Sequence, residues 1–526
     1  MRNVEIAQTP ERLREESATK AEIALDVSPP AVDAPARVDK TAVELKRGAF
    51  LNTIAMLASN FRGIFTFLIA RLLGPAALGI FSVAWSTTDI ISKIGVFGLD
   101  NTITTFIARA EAKGEHARSR RLFRLAAAIG AVQSAFIAVL TVIILKTFGD
   151  RLGFEHELTA ALAVVVCALP GVALYRICTS VSRGMKVMKH DIFSRGITEP
   201  IATTLAFLIL MIVGLRQFAP ELAAIVGTGA SGIIALTLAS RLFRRVPAEP
   251  DETPIRRDAG CLFGYAAPIS AYQLLNAVIF RLDVVMLGWF VGRAPGVTLA
   301  TLGVYGAVVD VAGGLRKVNQ AFNPIFIPIV AGLTATGEQE RAAVAYGRLA
   351  QWMLWILLPL VAVMVFAGST ILLVFGPAFR QGGVWLGIVA IACATNAFVS
   401  LGETVIMVQR PRLNLLNSSI TCAAAVGANL WLIPRYGVTG AALGILVPYV
   451  VQGFLRYAAL RLVFRWPSPW SNIHQPIIAA TLAFWPALIC RMLWHGVAGE
   501  IVSALVFLAL FGCGWLYYRR MQPPLG

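Results

Sequence analysis

Residues 79–97 read GIFSVAWSTTDIISKIGVF, and residues 303–321 read GVYGAVVDVAGGLRKVNQA. The match continues through AKGEHARSRRLFRLA at 112–126 and ATGEQERAAVAYGRLA at 335–350. Apolar runs recur by chance in a chain this hydrophobic, so the polar punctuation decides the reading. Gly114-Glu115 and Arg118 return as Gly337-Glu338 and Arg341, Arg124-Leu125-Ala126 returns as Arg348-Leu349-Ala350, and Lys93 returns as Lys317. A repeat of this kind, written in membrane spans, is characteristic of transporters.

Working outward, the whole chain is 57% hydrophobic and only 14% charged over 526 residues, where soluble domains carry about 25% charge. That balance implies an all-α polytopic membrane protein. The net charge of +17 does not point to nucleic acid, because the Lys and Arg residues sit in short islands between apolar runs, where they set orientation. The seven cysteines are scattered without a C-x-x-C pair, and the five histidines fall in or beside predicted loops without acidic partners. Neither a metal nor a cofactor is expected. No G-x-x-x-x-G-K-[ST] motif occurs, so the chain is not expected to hydrolyse ATP or to be an enzyme.

A bilayer core takes roughly 20 helical residues, and that window predicts about fourteen transmembrane helices, from 49–73 to 498–518, with the second at 76–108, the eighth at 301–331 and the eleventh and twelfth at 413–433 and 438–462. Basic residues crowd alternate loops, which places both termini in the cytosol under the positive-inside rule. The second copy of the repeat begins six spans after the first, and an even number of crossings restores direction. The halves are therefore expected to be parallel repeats. The resulting division is a disordered cytosolic tail at 1–44, a six-helix bundle at 45–242, a linker at 243–260, a second six-helix bundle at 261–465, and two extra helices at 466–526.

Two six-span bundles plus a pair resemble the multidrug/oligosaccharidyl-lipid/polysaccharide exporter superfamily. Within it, Arg71-Leu72-Leu73-Gly74-Pro75-Ala76-Ala77-Leu78-Gly79-Ile80-Phe81 resembles the first-loop motif of bacterial polysaccharide flippases. Arg281-Leu282-Asp283-Val284-Val285-Met286-Leu287-Gly288, followed by Gly303-Val304-Tyr305, resembles its seventh-span counterpart, and Pro324-Ile325-Phe326-Ile327-Pro328 fits the end of span eight. The resemblance covers about residues 46 to 465 and implies movement of undecaprenyl-diphosphate-linked oligosaccharide across the inner membrane for exopolysaccharide, O-antigen or a similar glycan. It implies a polysaccharide polymerase or export machinery as a partner, beside the polyprenyl-diphosphate-linked oligosaccharide and the membrane lipids.

Charges inside the spans carry the site. A charge at the bilayer centre costs about 2.5–3.5 kcal/mol on insertion scales, so each needs a reason. Asp89 and Lys93 are four apart in span two, and Asp310 and Lys317 are seven apart in span eight, each pair on one helical face. The matched lysines are expected to face a central cavity together with Arg62, Arg281 and Arg316, a basic set suited to a diphosphate. Asp89, Asp283, Asp310 and Glu403 are the candidate coupling or pairing acids, with pairing to an arginine ranked first for Glu403 and Asp283 placed on a polar stripe with Tyr272 and Asn276. Alternating access of a basic cavity is the expected mechanism. A lipid II flippase is the nearest rival; a cation-coupled drug exporter would favour an acidic cavity; a membrane glycosyltransferase or polymerase would ordinarily need a large outer loop with carboxylates.

Overall fold

The Leu-Gly-Pro corner of the first motif shows how this chain makes its elements. Gly74 has φ +85°, a left-handed conformation that ends one helix, and Pro75 occupies the first turn of the next, where its missing N–H is not needed. The computed structural model describes residues 62–244, 255–467 and 470–521. These are helical throughout, with no strand among them. The expected tail at 1–44 lies outside the described residues, as does the middle of the expected linker.

The order is α1 (Arg62–Leu72), α2 (Gly74–Val96), α3 (Leu99–Ala112), α4 (His116–Leu152), α5 (His156–Gly184), α6 (Lys189–Val213) and α7 (Ala219–Leu242). After the undescribed residues come α8 (Ile255–Trp289), α9 (Leu299–Gly313), α10 (Arg316–Ala335), α11 (Gln339–Phe366), α12 (Gly383–Gln409), α13 (Arg412–Val463), α14 (Trp470–Leu493) and α15 (Gly496–Met521). Eleven helices among the described residues are long and apolar enough to cross a membrane.

Where this differs from the fourteen expected windows, the cause is local. Only Arg62–Leu72 of the first window is described. The second, expected over 76–108 with Gly95, Gly98 and Asp100 as its candidate breakers, is two helices, because Phe97 and Gly98 both take left-handed φ, at 48° and 68°. The eleventh and twelfth are two helical stretches of α13 that fold back on each other at Gly437, with φ 55° and ψ −130°, so that Gly440 packs against the Leu432 carbonyl. The eighth tightens to i→i+3 bonding between Gly313 and Arg316, and Asp310 and Lys317 on either side of that turn line the same cavity.

Two contacts position the interior. At the Gly-Pro end, α2 crosses α9 at Gly79 and Gly303 with the two backbones touching. A Cβ on Gly79 would collide with the Leu299 carbonyl, and one on Gly303 with the Pro75 carbonyl. The collision is reciprocal, each glycine meeting the residue four before the other. Close approach through small residues is how membrane helices gain packing contact. Arg71 adds a clasp at this end, donating from Nε to the Val374 carbonyl at 2.8 Å.

At the end carrying the basic loops, α3 meets α8. Gly98 fits against the backbone of Ala266 and Ser270, and Gln273 donates to Asp100 at 3.1 Å. Helix α8 begins inside the segment expected to be linker, and its buried Asp258 takes Arg118 at 3.2 Å and Arg121 at 2.6 Å. A carboxylate with two guanidiniums explains why this stretch is ordered helix. The two final helices pack on each other and on α11, with Trp355 against Phe511 at 5.0 Å between centroids. Large apolar side chains such as Phe136, Ile212 and Leu462 face outward, as a lipid-facing surface requires.

Candidate functional site

Helices α2, α5 and α6 from the first part of the chain and α8, α9, α10 and α12 from the second surround a cavity of ≈ 1040 Å³. A drug-sized site takes roughly 300–1,000 Å³, so there is room for a larger polar headgroup. Six cations line it, three from each side of the undescribed segment at 245–254: Lys93, Arg176 and Arg195, then Arg281, Arg316 and Lys317. Three acids join them, Asp89, Asp310 and Glu403.

Asp89 is the meeting point. Its Oδ1 receives Lys93 Nζ at 3.7 Å and Arg176 Nη2 at 3.2 Å, and its Oδ2 receives Arg281 Nε at 3.4 Å. Lysine and acid are one helical turn apart, so α2 presents them together. Arg176 comes from α5 and Arg281 from α8, so a single carboxylate gathers cations from both parts of the chain. On the opposite wall, Arg316 lies over Phe280, 5.1 Å from the ring centroid, in a cation–π arrangement. Asp310 accepts from Thr66 Oγ1 of α1 at 3.0 Å. Glu403 accepts from Arg456 Nη2 at 2.6 Å, the pairing ranked first from sequence.

The structure therefore brings Lys93, Arg281, Arg316, Lys317, Asp89, Asp310 and Glu403 to one cavity. Asp283 is not among its lining. It is buried within the second part of the chain, where Tyr305 donates to its Oδ2 at 2.6 Å. The reason is helical phase: two residues from Arg281 it faces away from the cavity, towards Tyr305 on α9. The side chain of Arg62 lies outside the described residues, although neighbouring Gly63 lines the cavity, and so do the side chains of Pro324 and Pro328.

Arg176 and Arg195 were missed as cavity residues. Arg176 falls inside a predicted span, which was signal enough. Arg195 was counted among the cytosolic basic residues although the fifth predicted span, 191–214, contains it; it belongs to a π-helical stretch, Ile192–Thr198, within α6. A π-bulge is frequent at functional sites, and nothing in the local sequence marks one.

The motif residues have structural tasks as well. Gly288 packs on Val83, Gly303 forms the crossing, Tyr305 holds Asp283, and Arg281 reaches Asp89. Residues 45–328, more than half of the chain, match the model of a family described as polysaccharide biosynthesis protein. The chain belongs to that polysaccharide biosynthesis family. Membership bears out the resemblance read from the Arg71–Phe81 and Arg281–Gly288 motifs.

A comparison with curated protein sequences found no match. Solved structures agree on the fold. A multidrug resistance MATE transporter of the MOP superfamily, inward-facing, superposes with TM-score 0.65 at 14% identity, covering 79% of this chain and 98% of its own. The lipid II flippase MurJ, inward closed, gives 0.63 at 10% identity over 90% of this chain and 99% of its own. A Vibrio cholerae MATE transporter, VcmN, gives 0.56 at 16% over 82% and 99%. At these identities the likeness concerns architecture; the family assignment rests on the sequence match.

Proposed function

We propose that this member of the polysaccharide biosynthesis family flips an undecaprenyl-diphosphate-linked oligosaccharide across the bacterial inner membrane. The observation that carries the reading is the cavity in which six cations from both parts of the chain face three acids. A diphosphate is a multiply charged anion with planar-fork and point-charge acceptor sites, and arginine and lysine together match it. An exporter of organic cations would want the opposite sign.

The proposed topology has fourteen crossings with both termini cytosolic, the two stretches of α13 on either side of Gly437 counted as two spans and the α2–α3 and α9–α10 pairs as one each. The two six-span halves are related by an axis along the membrane normal, passing through the reciprocal Gly79–Gly303 contact. In the cycle, Asp89 acts as a resident counter-ion. The arriving diphosphate takes Arg176, Arg281 and Lys93 from it, and on release the carboxylate recaptures them. That exchange offsets part of the positive charge when the cavity is empty and leaves a net positive site for the anion. The halves then rock about the crossing, exposing the cavity to one side and then the other, while the polyprenyl tail stays in lipid.

Outward movement of the anionic headgroup is favoured by the membrane potential by about 2.3 kcal/mol per charge per 100 mV. A lipid II headgroup carries the same diphosphate, so identity of the cargo is the deciding test. In a strain lacking the gene, the lipid-linked oligosaccharide consumed by a polysaccharide polymerase accumulates on the cytosolic side; accumulation of lipid II alone would replace this reading with the peptidoglycan one. In proteoliposomes, unchanged flipping after the potential is collapsed would rule out electrogenic drive.

A further inference from the structure

A second anion site lies away from the central cavity. Between α11, α12, α13 and α14 is a pocket of ≈ 340 Å³ whose walls include Tyr346, Phe398, Arg456, Tyr457 and Trp470. Arg456 is 98% buried by its 2% exposure, yet only its Nη2 is satisfied, by Glu403. Its Nε and Nη1 are buried with no acceptor. A guanidinium carries five donors, and leaving charged donors unmet in a low-dielectric interior is costly. Two unsatisfied nitrogens on a residue lining a pocket call for an anion.

The setting says which kind. Tyr457 and Trp470 on the rim are 46% and 60% exposed, and amphipathic aromatics of this sort concentrate where a span meets the headgroups. The helix ends just beyond, at Val463, with Arg461 and Arg465 exposed on the same stretch. The walls are aromatic and apolar apart from the guanidinium, which suits an ion attached to hydrocarbon better than a hydrated free ion.

We propose that the Arg456 pocket binds the phosphate headgroup of an anionic membrane lipid. Glu403 links this site to the central cavity, because it lines that cavity while holding Arg456. A lipid phosphate on the unmet Nε and Nη1 shares the guanidinium with Glu403, and the two anions weaken each other's hold on it. The inference is independent of which glycan is carried, and its test measures binding rather than transport.

The full-length protein, purified in detergent and stripped of lipid, is titrated by native mass spectrometry with short-chain phosphatidylglycerol, phosphatidylcholine and inorganic phosphate. The expected result is one phosphatidylglycerol bound about tenfold or more tighter than phosphatidylcholine, with inorganic phosphate displacing it only at far higher concentration. Arg456→Lys keeps a cation for Glu403 but loses the planar fork, and weakens binding about tenfold. Glu403→Gln removes the competing carboxylate and tightens binding about threefold or more, as relief of a competitor predicts. Equal binding of the two lipids, displacement by phosphate at the lipid's own concentration, or an unchanged affinity in Glu403→Gln overturns the proposal. Melting curves verify that each variant is folded; should Arg456→Lys fail to fold, the Glu403→Gln titration decides alone.

Discussion

Lys93 and Lys317 occupy matching places in a duplicated sequence, and the walls around them are built differently. In the first wall the acid sits one turn before the lysine, and Asp89 draws Lys93, Arg176 and Arg281 to itself. In the second wall Gly313 stands one turn before Lys317, and the acid has moved to Asp310, which accepts from Thr66 of α1. The cation stands at matching positions of the two stretches, and its acid does not. A cavity needs positive charge on both sides of the cargo, whereas one carboxylate, Asp89, is enough to hold three of the cations together.

The contact that both walls share gives the largest expected effect. Gly79→Ala and Gly303→Ala each place a methyl against a backbone carbonyl, which cannot rotate away, and each is expected to destabilise by about 3 kcal/mol or abolish folded yield. Thermal melting of detergent-solubilised protein measures this. The two variants are expected to suffer alike; a tolerated Gly303→Ala beside a lethal Gly79→Ala would break the equivalence of the halves at their crossing.

Next come the acids. Asp89→Ala leaves three cations without their common partner and is expected to lower flipping by about 100-fold, in keeping with roughly 3 kcal/mol for an orphaned charge. Asp310→Ala loses a neutral hydroxyl partner and is expected to lower it about tenfold or less. Rates from a fluorescent lipid-diphosphate in proteoliposomes give both values. Equal losses would mean that the walls differ in appearance only.

The lysines follow. Lys93→Ala and Lys317→Ala are each expected to reduce flipping about tenfold, the size of one lost charge-assisted contact, with Arg replacements recovering most of it. Intact transport in either alanine variant removes that lysine from the site. The smallest effect is expected from moving the acid: Asp310→Ser with Gly313→Asp rebuilds the first wall's spacing in the second, and flipping is expected within about threefold of the native protein, the usual range for a neutral surface change. A large loss would show that the acid's position matters as much as its presence.

Much of this was legible without coordinates. The broken span two was foreshadowed by Gly95, Gly98 and Asp100, and Gly98 does break it, with the left-handed Phe97 beside it. Lys93, Arg281, Arg316 and Lys317 were singled out because ionised groups in apolar windows are rare, and all four line the cavity. Asp283, two residues from Arg281 and so on another face, meets Tyr305 rather than the cavity, a partner that its own helix could not name. Arg195 was lost because it was counted with the cytosolic basic residues, although it sits in the first turns of a helix whose side chains reach the cavity.

The sequence by itself determined the membrane-helical class, the duplication, the family motifs and the location of charge along each helix. These depend on local periodicity and on composition, which are properties of neighbouring residues. Only the tertiary structure decided who pairs with whom. Asp89 meets Arg281 across 192 residues of chain, Glu403 meets Arg456 across 53, and Asp310 meets Thr66 across 244. No helical period relates such partners. Their choice follows from which helices pack side by side and at what depth, and in a low-dielectric interior that choice sets where charge is held and where an unmet donor, as at Arg456, is left for a ligand to fill.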